Sequence, residues 1–276
     1  MRNLLALLST GLALIIGPAA AQTPPVDEIV HRANKAAYYE GQDGRAQVEM
    51  TITDSQGRER NRRMTILRKD AASTDAIENG AYRSEQKFYV YFTRPADVNK
   101  MGFLVWKKLD TDDDRWLYLP ALDLVKRIAA SDKRTSFVGS DFYYEDVSGR
   151  DIDEDHHELI DTTDNYYVLK NTPRNPSSVE FAYFVMYIHK DTFIPVQVEY
   201  FDAQDNRYRI AKALAVDNIQ GHTTVTKASM ENLKTGSKTV MQYSSVEYDI
   251  GLPDDIFSER YLRNSTLDIH TSSRVS

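Results

Sequence analysis

Glu85-Gln86-Lys87-Phe88-Tyr89-Val90-Tyr91-Phe92-Thr93 is a stretch in which every second side chain is apolar and the positions between are aromatic or polar. A period of two is the signature of a β-strand. Phe88, Val90 and Phe92 share one face and Tyr89 and Tyr91 the other, so both faces have something to bury. Arg94-Pro95 ends the run, because proline cannot donate to a strand ladder. The same period continues on both sides. Upstream, Val48, Met50 and Ile52 alternate with Gln47, Glu49 and Thr51. The turn Asp54-Ser55-Gln56-Gly57 leads into a return strand over 58–69. Downstream, strands are expected at 102–107, 115–119 and, more weakly, 124–128. Residues 131–148 read as irregular, with one helical turn at 141–146. Further strands follow at 159–160, 166–170, 179–189, 195–201, 208–216, 223–233 and 237–248.

Only one segment has a clear helical period. Over 27–39, Ile29, Ala33, Ala36 and Ala37 recur at helical spacing after Pro24-Pro25, Asp27 and Glu28 favour the N-terminal dipole, and Gly41 follows. The expected fold is mainly β (α+β): a strongly curved antiparallel half-barrel of about ten or eleven strands, with a few helices covering the concave face. A twisted sheet of that width curls rather than staying flat. Leu252-Pro253-Asp254-Asp255-Ile256-Phe257 reads as a closing helical turn.

The N-terminus has the form of a secretory signal: Arg2, an apolar run over 4–16, then Ala19 and Ala21 in the relation a signal peptidase accepts. Cleavage at Ala21-Gln22 is expected, which places the protein in the periplasm. The domain expectation is a signal peptide over 1–21, one β-rich domain over 22–263 and a polar tail over 264–276. The chain has no cysteine and a net charge of −7. An acidic chain without a basic block is a poor nucleic-acid binder.

Candidate chemistry is sparse. Asp151-Ile152-Asp153-Glu154-Asp155-His156-His157-Glu158 carries metal-ligand types, but adjacent histidines on a strand point to opposite faces. A solvated acidic edge is the competing reading, and no metal or other cofactor is expected. Gly139-Ser140-Asp141 lacks the G-x-S-x-G spacing of an esterase nucleophile, so no enzyme activity is expected. Arg60 and Arg62 share one face of the return strand; they read either as a charged edge or as a partner-docking patch. The strands Phe103-Leu104-Val105-Trp106 and Trp116-Leu117-Tyr118-Leu119 are apolar on both faces. That pattern fits a two-sided core, and equally a concave face shaped as a cavity for an acyl chain.

Arg115-Trp116-Leu117-Tyr118-Leu119-Pro120-Ala121-Leu122, then Val125-Lys126-Arg127-Ile128, then Ser136-Phe137-Val138-Gly139-Ser140-Asp141-Phe142-Tyr143-Tyr144-Glu145-Asp146 together resemble the outer membrane lipoprotein-sorting protein family, a LolA-like group. Phe92-Thr93-Arg94-Pro95, Lys100-Met101-Gly102 and the Leu252–Phe257 run fit the same pattern. The resemblance implies a carrier that holds lipoprotein or lipid acyl chains in a hydrophobic cavity and moves them between inner and outer membranes, touching membranes only transiently. It also implies a link to inner-membrane exporters of the resistance-nodulation-division (RND) type, and so an alternative role as an accessory module docking on one. The expected cavity lining is Phe88, Val90, Phe92 and Trp106 from alternation, with Trp116 and Tyr118 from the motif. Arg60 and Arg62 are the expected docking residues.

Overall fold

The computed structural model describes residues 23–71, 84–109 and 111–263. The expected signal peptide, its cleavage point and the polar tail lie outside these residues. Helix α1 (Val26–Tyr38) precedes thirteen strands: β1 (Asp43–Thr53), β2 (Glu59–Asp70), β3 (Gln86–Arg94), β4 (Gly102–Lys107), β5 (Asp114–Leu119), β6 (Leu124–Ile128), β7 (Asp155–Thr162), β8 (Tyr166–Pro173), β9 (Tyr183–His189), β10 (Pro195–Phe201), β11 (Arg207–Ile219), β12 (His222–Asn232) and β13 (Ser237–Tyr248). Among the described residues there are also two short α-helices, α2 (Tyr144–Ser148) and α3 (Glu259–Arg263), and several single 3₁₀ turns.

All thirteen strands form one antiparallel sheet in the order β6-β5-β4-β3-β2-β1-β13-β12-β11-β10-β9-β8-β7. The chain walks outward from β1 to β6, crosses to the opposite edge, and walks back from β7 to β13 beside β1. Each of the thirteen falls on a segment that reads as extended in the sequence. The count of ten or eleven undershoots because the two edge strands, β6 and β7, read only weakly (124–128) or as a stub (159–160), their exposed Lys126, Arg127, His156, Glu158 and Asp161 blurring the apolar alternation.

Curvature follows from what α1 touches. It packs on both β7 and β12, which stand five positions apart in the sheet. On a flat sheet that separation is about 24 Å, more than twice the roughly 10 Å diameter of a helix. The sheet therefore curls around α1. Ile29, Val30 and Ala33 are the apolar side chains α1 buries, against Tyr167, Leu169, Ile188 and Phe193.

Each face has its own covering. The inward face of β1 to β5 (Met50, Met64, Val90, Phe103 and Leu117 among others) packs under Phe137 and Tyr144 of the crossover. The outward face (Leu67, Tyr89, Leu104, Trp116 and Tyr118) packs under the C-terminal residues Leu252, Ile256, Phe257 and Leu262. Asp43 ties the C-terminal segment down by accepting from the backbone N–H of Ile250 at 2.7 Å and of Leu252 at 2.6 Å. Of the two readings left open for β4 and β5, the two-sided core is the one seen, each side with a different cover.

Candidate functional site

A cavity of about 460 Å³ lies on the concave side, enclosed by α1, the crossover and the middle of the sheet. That volume is in the range of small-molecule and lipid pockets, about 300–1,000 Å³. Its lining is mainly apolar, with Ala213, Ala228, Met186, Val198, Met241 and Tyr243 contributed by five strands. Ala213 stands directly opposite Ala228 across β11 and β12, and Ala228 opposite Met241 across β12 and β13. Small side chains on adjacent strands leave unfilled volume where a core would carry leucine or phenylalanine.

The crossover over 129–154 forms one wall, and buried charges anchor it. Glu145 is 2 % exposed. It meets Lys133 at 2.9 Å, Arg134 at 2.9 Å and Arg150 at 3.5 Å. Arg150 also reaches Asp155 on β7 at 2.9 Å, and Arg134 reaches Glu180, between β8 and β9, at 2.6 Å. Arg209 on β11 pairs with Asp146 and donates to the Asp141 carbonyl at 3.0 Å. Asp141 in turn accepts from the Thr239 hydroxyl on β13 at 2.7 Å. On the near side, Lys107 of β4 donates to the Ser148 carbonyl at 3.1 Å. Bonds from β4, β7, β11 and β13 thus hold one connection across the concave face.

Burial would raise the Glu145 pKa, but the fields of Arg134, Lys133 and Arg150 outweigh it and bring the group down to about 2. Burial lowers the Lys107 pKa, and burial raises that of the Tyr38 phenol, which lines the cavity. His157 also lines it. Its Nδ1 lies 2.6 Å from Asn171 Oδ1 and its Nε2 lies 2.7 Å from the Ile152 carbonyl. His156 turns to the opposite face, 3.4 Å from Arg174. Among the described residues no group of three or more His, Asp or Glu side chains could hold a metal ion. Asp155, read from sequence as part of a solvated acidic edge, is instead 2 % exposed and paired with Arg150. Ser140 Oγ donates to the Phe137 carbonyl at 2.7 Å, closing its own turn.

The six residues expected to line the cavity do not come together. Phe88 is in the lining. Val90 and Phe92 share its face but are fully buried in the packed cluster under Phe137, the Phe92 and Phe137 rings 5.9 Å apart. Trp106, Trp116 and Tyr118 point the other way and lie on the outer face, under the C-terminal residues, not in the cavity. Alternation assigns residues to two faces but does not say which face is concave. Trp106 and Trp116 meet edge to face at 5.1 Å, and Trp106 Nε1 donates to the Phe257 carbonyl at 2.8 Å. The motif tryptophan and tyrosine therefore anchor the C-terminal segment. Trp106→Phe is expected to lower stability by about 1–2 kcal/mol, since it removes that hydrogen bond and leaves its carbonyl unpaired. Urea unfolding should register the loss, while ligand uptake stays unchanged. Arg60 and Arg62 also lie on the concave side, near Gly139 of the crossover.

The alanines were missed, although their signal is present: Ile210-Ala211-Lys212-Ala213-Leu214-Ala215-Val216 places alanine repeatedly in a strand, where it is disfavoured.

A curled antiparallel sheet around one long helix, with an apolar cavity beneath a crossing connection, defines the LolA-like class of fold. The model of a family described as "Uncharacterized protein" matches residues 84–264. A DUF1329 family protein from Desulfovibrio piger is 32 % identical, with TM-score 0.76, covering 87 % of this chain and 100 % of its own. The chain belongs to the DUF1329 family. A domain from Vibrio parahaemolyticus described as outer membrane lipoprotein-sorting is 25 % identical, with TM-score 0.74, covering 86 % of this chain and 97 % of its own. A LolA superfamily protein from Nitrosomonas europaea shares the fold at TM-score 0.65 and 21 % identity, over 87 % of this chain and all of its own. No curated protein matches. No helix among the described residues is long and apolar enough to cross a membrane.

Proposed function

We propose that this protein is a periplasmic carrier that takes the acyl chains of a lipoprotein or lipid into the concave cavity and moves them between the inner and outer membranes. The observation that carries the reading is the apolar cavity of about 460 Å³ floored by alanines. Burying an acyl chain there contributes roughly 0.8 kcal/mol per methylene, so a chain of ordinary length binds without a charged partner. The relative from Vibrio parahaemolyticus, described as lipoprotein-sorting, supports the same reading. The tie-points along the crossover suit a preformed pocket rather than one assembled around its ligand.

The test is native mass spectrometry of the protein purified without detergent, followed by lipid extraction and by uptake of added lipid. Bound or accepted lipid is expected. A protein that purifies empty and takes up none would remove the carrier reading and leave that of an accessory module docking on an RND-type exporter.

A further inference from the structure

Along β2, Arg60, Arg62, Met64, Ile66 and Arg68 alternate onto one face. The register shows which face it is. Arg62 stands opposite Met50, Met50 opposite Met241, and Met241 opposite Ala228 of the cavity floor. Arg60 lies one row along, opposite Ile52, which is opposite Thr239. Both guanidinium groups therefore project to the concave side, at the end of β2 away from Arg68.

There they meet the crossover at a tight turn. Ser140 N donates to the Phe137 carbonyl at 3.0 Å, and the central residues Val138 and Gly139 both have positive φ, 50° and 76°. Arg60 Nη2 donates to the Gly139 carbonyl at 3.3 Å. A β-carbon on Gly139 would stand 3.8 Å from Arg60 Nη1 and 3.9 Å from Arg62 Nη2. Two positive heads thus converge on one turn.

Neither head has an acid within ion-pair distance among the described residues. Arg62 Nε and Nη1 are buried without an acceptor. Asp97 is the acid whose field acts on Arg62, and it is exposed. The other inward arginines differ: Arg68 meets Asp70, Arg134 meets Glu145, Arg150 meets Asp155 and Arg209 meets Asp146. Like charges held together and buried donors without acceptors are both unfavourable. An oxyanion removes both costs at once, because a guanidinium offers paired donors that match its geometry.

We propose that Arg60 and Arg62, at the Gly139 turn, form a binding site for a phosphate-type oxyanion. The site shares a cross-strand row with the cavity floor, three strands away or about 14 Å. A lipid with its chains in the cavity would present a phosphate headgroup here. That assignment of the source rests on the carrier reading; the anion site itself does not.

The test uses the intact protein in chloride buffer and three probes: inorganic phosphate, dihexanoyl phosphatidic acid below its micellar concentration, and uncharged dihexanoylglycerol. Calorimetry should show binding of phosphate, phosphatidic acid or both, weakened at least tenfold in Arg62→Gln and in Arg60→Gln. Phosphatidic acid binding more tightly than inorganic phosphate identifies a lipid headgroup as the source; equal affinities identify a free anion. Dihexanoylglycerol binding, unchanged by either substitution, reports on the cavity alone, so a failure of the carrier reading is seen separately. The proposal is overturned if neither anion binds at millimolar concentration, or if binding is indifferent to both arginines. It is also overturned if Arg62→Gln melts lower than wild type in phosphate-free buffer, because losing a half-buried charge that stands beside Arg60 should leave the melting temperature equal or higher.

Discussion

Glu145→Ala is expected to lower the stability of the protein by about 3–5 kcal/mol, the usual consequence of stripping one partner from a buried ion cluster. The carboxylate faces three cations, Lys133, Arg134 and Arg150, and is 2 % exposed. Removing it leaves three positive groups whose remaining acids, Glu154, Glu180 and Asp155, must serve alone. A loss of that size is a large fraction of the roughly 5–15 kcal/mol that holds a domain folded. The urea midpoint should fall with the slope unchanged, provided the transition stays two-state. The same group makes a pH prediction. Its native pKa is held near 2, against an ordinary value of 4.5. Above pH 4.5 the full contribution is present. Between about 4.5 and 2 the unfolded chain takes up a proton that the native state refuses, so stability falls with falling pH. Glu145→Gln should be less stable at neutral pH and should show a shallower acid slope over that window. A wild-type protein with flat stability from pH 5 to 2 would contradict the cluster as described.

The second large effect concerns the cavity. Ala213→Trp is expected to weaken acyl-chain binding by about 10²- to 10³-fold. An indole at that position takes the space of roughly four methylenes, or about 3 kcal/mol of burial. Ala213 lines the cavity and faces Ala228 across the sheet, so the ring enters open volume and should not overpack a core. The melting temperature should therefore change little while bound lipid disappears from the native mass spectrum. Undiminished lipid in this variant would place the ligand somewhere other than the cavity.

Much of the architecture was legible in the sequence, for a plain reason. Strands with one inward and one outward face write their period directly into the residues, as 47–52 and 85–93 do. The helix over 27–39 is likewise visible, one residue out of place at each end. The site was legible only as a place. Alternation put Phe88, Val90 and Phe92 on one face but not at depths, and depth decides whether a side chain lines a void or fills a core; for Trp106 it left open which face is concave. Volume that is missing leaves only small residues behind, and Ala211, Ala213 and Ala228 are easy to overlook beside tryptophans. The anchoring charges were hidden for a different reason. Lys133, Arg134, Glu145, Arg150 and Asp155 fall in or beside a segment without periodicity, where charged residues ordinarily mean solvent. The remote partners of this segment, Glu180 for Arg134, Arg209 for Asp146 and Thr239 for Asp141, lie far along the chain, and only the crossover brings them together.

The out-and-back order of the strands bears on how the chain reaches its native state. The strands from β1 to β6 join neighbours in sequence, as do those from β7 to β13, so each half can zip up from local hairpins. The seam between the halves is β1 with β13, where Gly44 pairs with Tyr248 and Thr53 with Lys238, about two hundred residues apart. Long-range pairings form late, because the loop must close before any bond repays it. A chain that emerges N-terminus first holds β1 ready long before its partner exists. Until then the inner edge of β1 is an open template, with Val48, Met50 and Ile52 beside it, available to any other extended chain. The vulnerable interval in the life of this protein is therefore the wait between the first strand and the last.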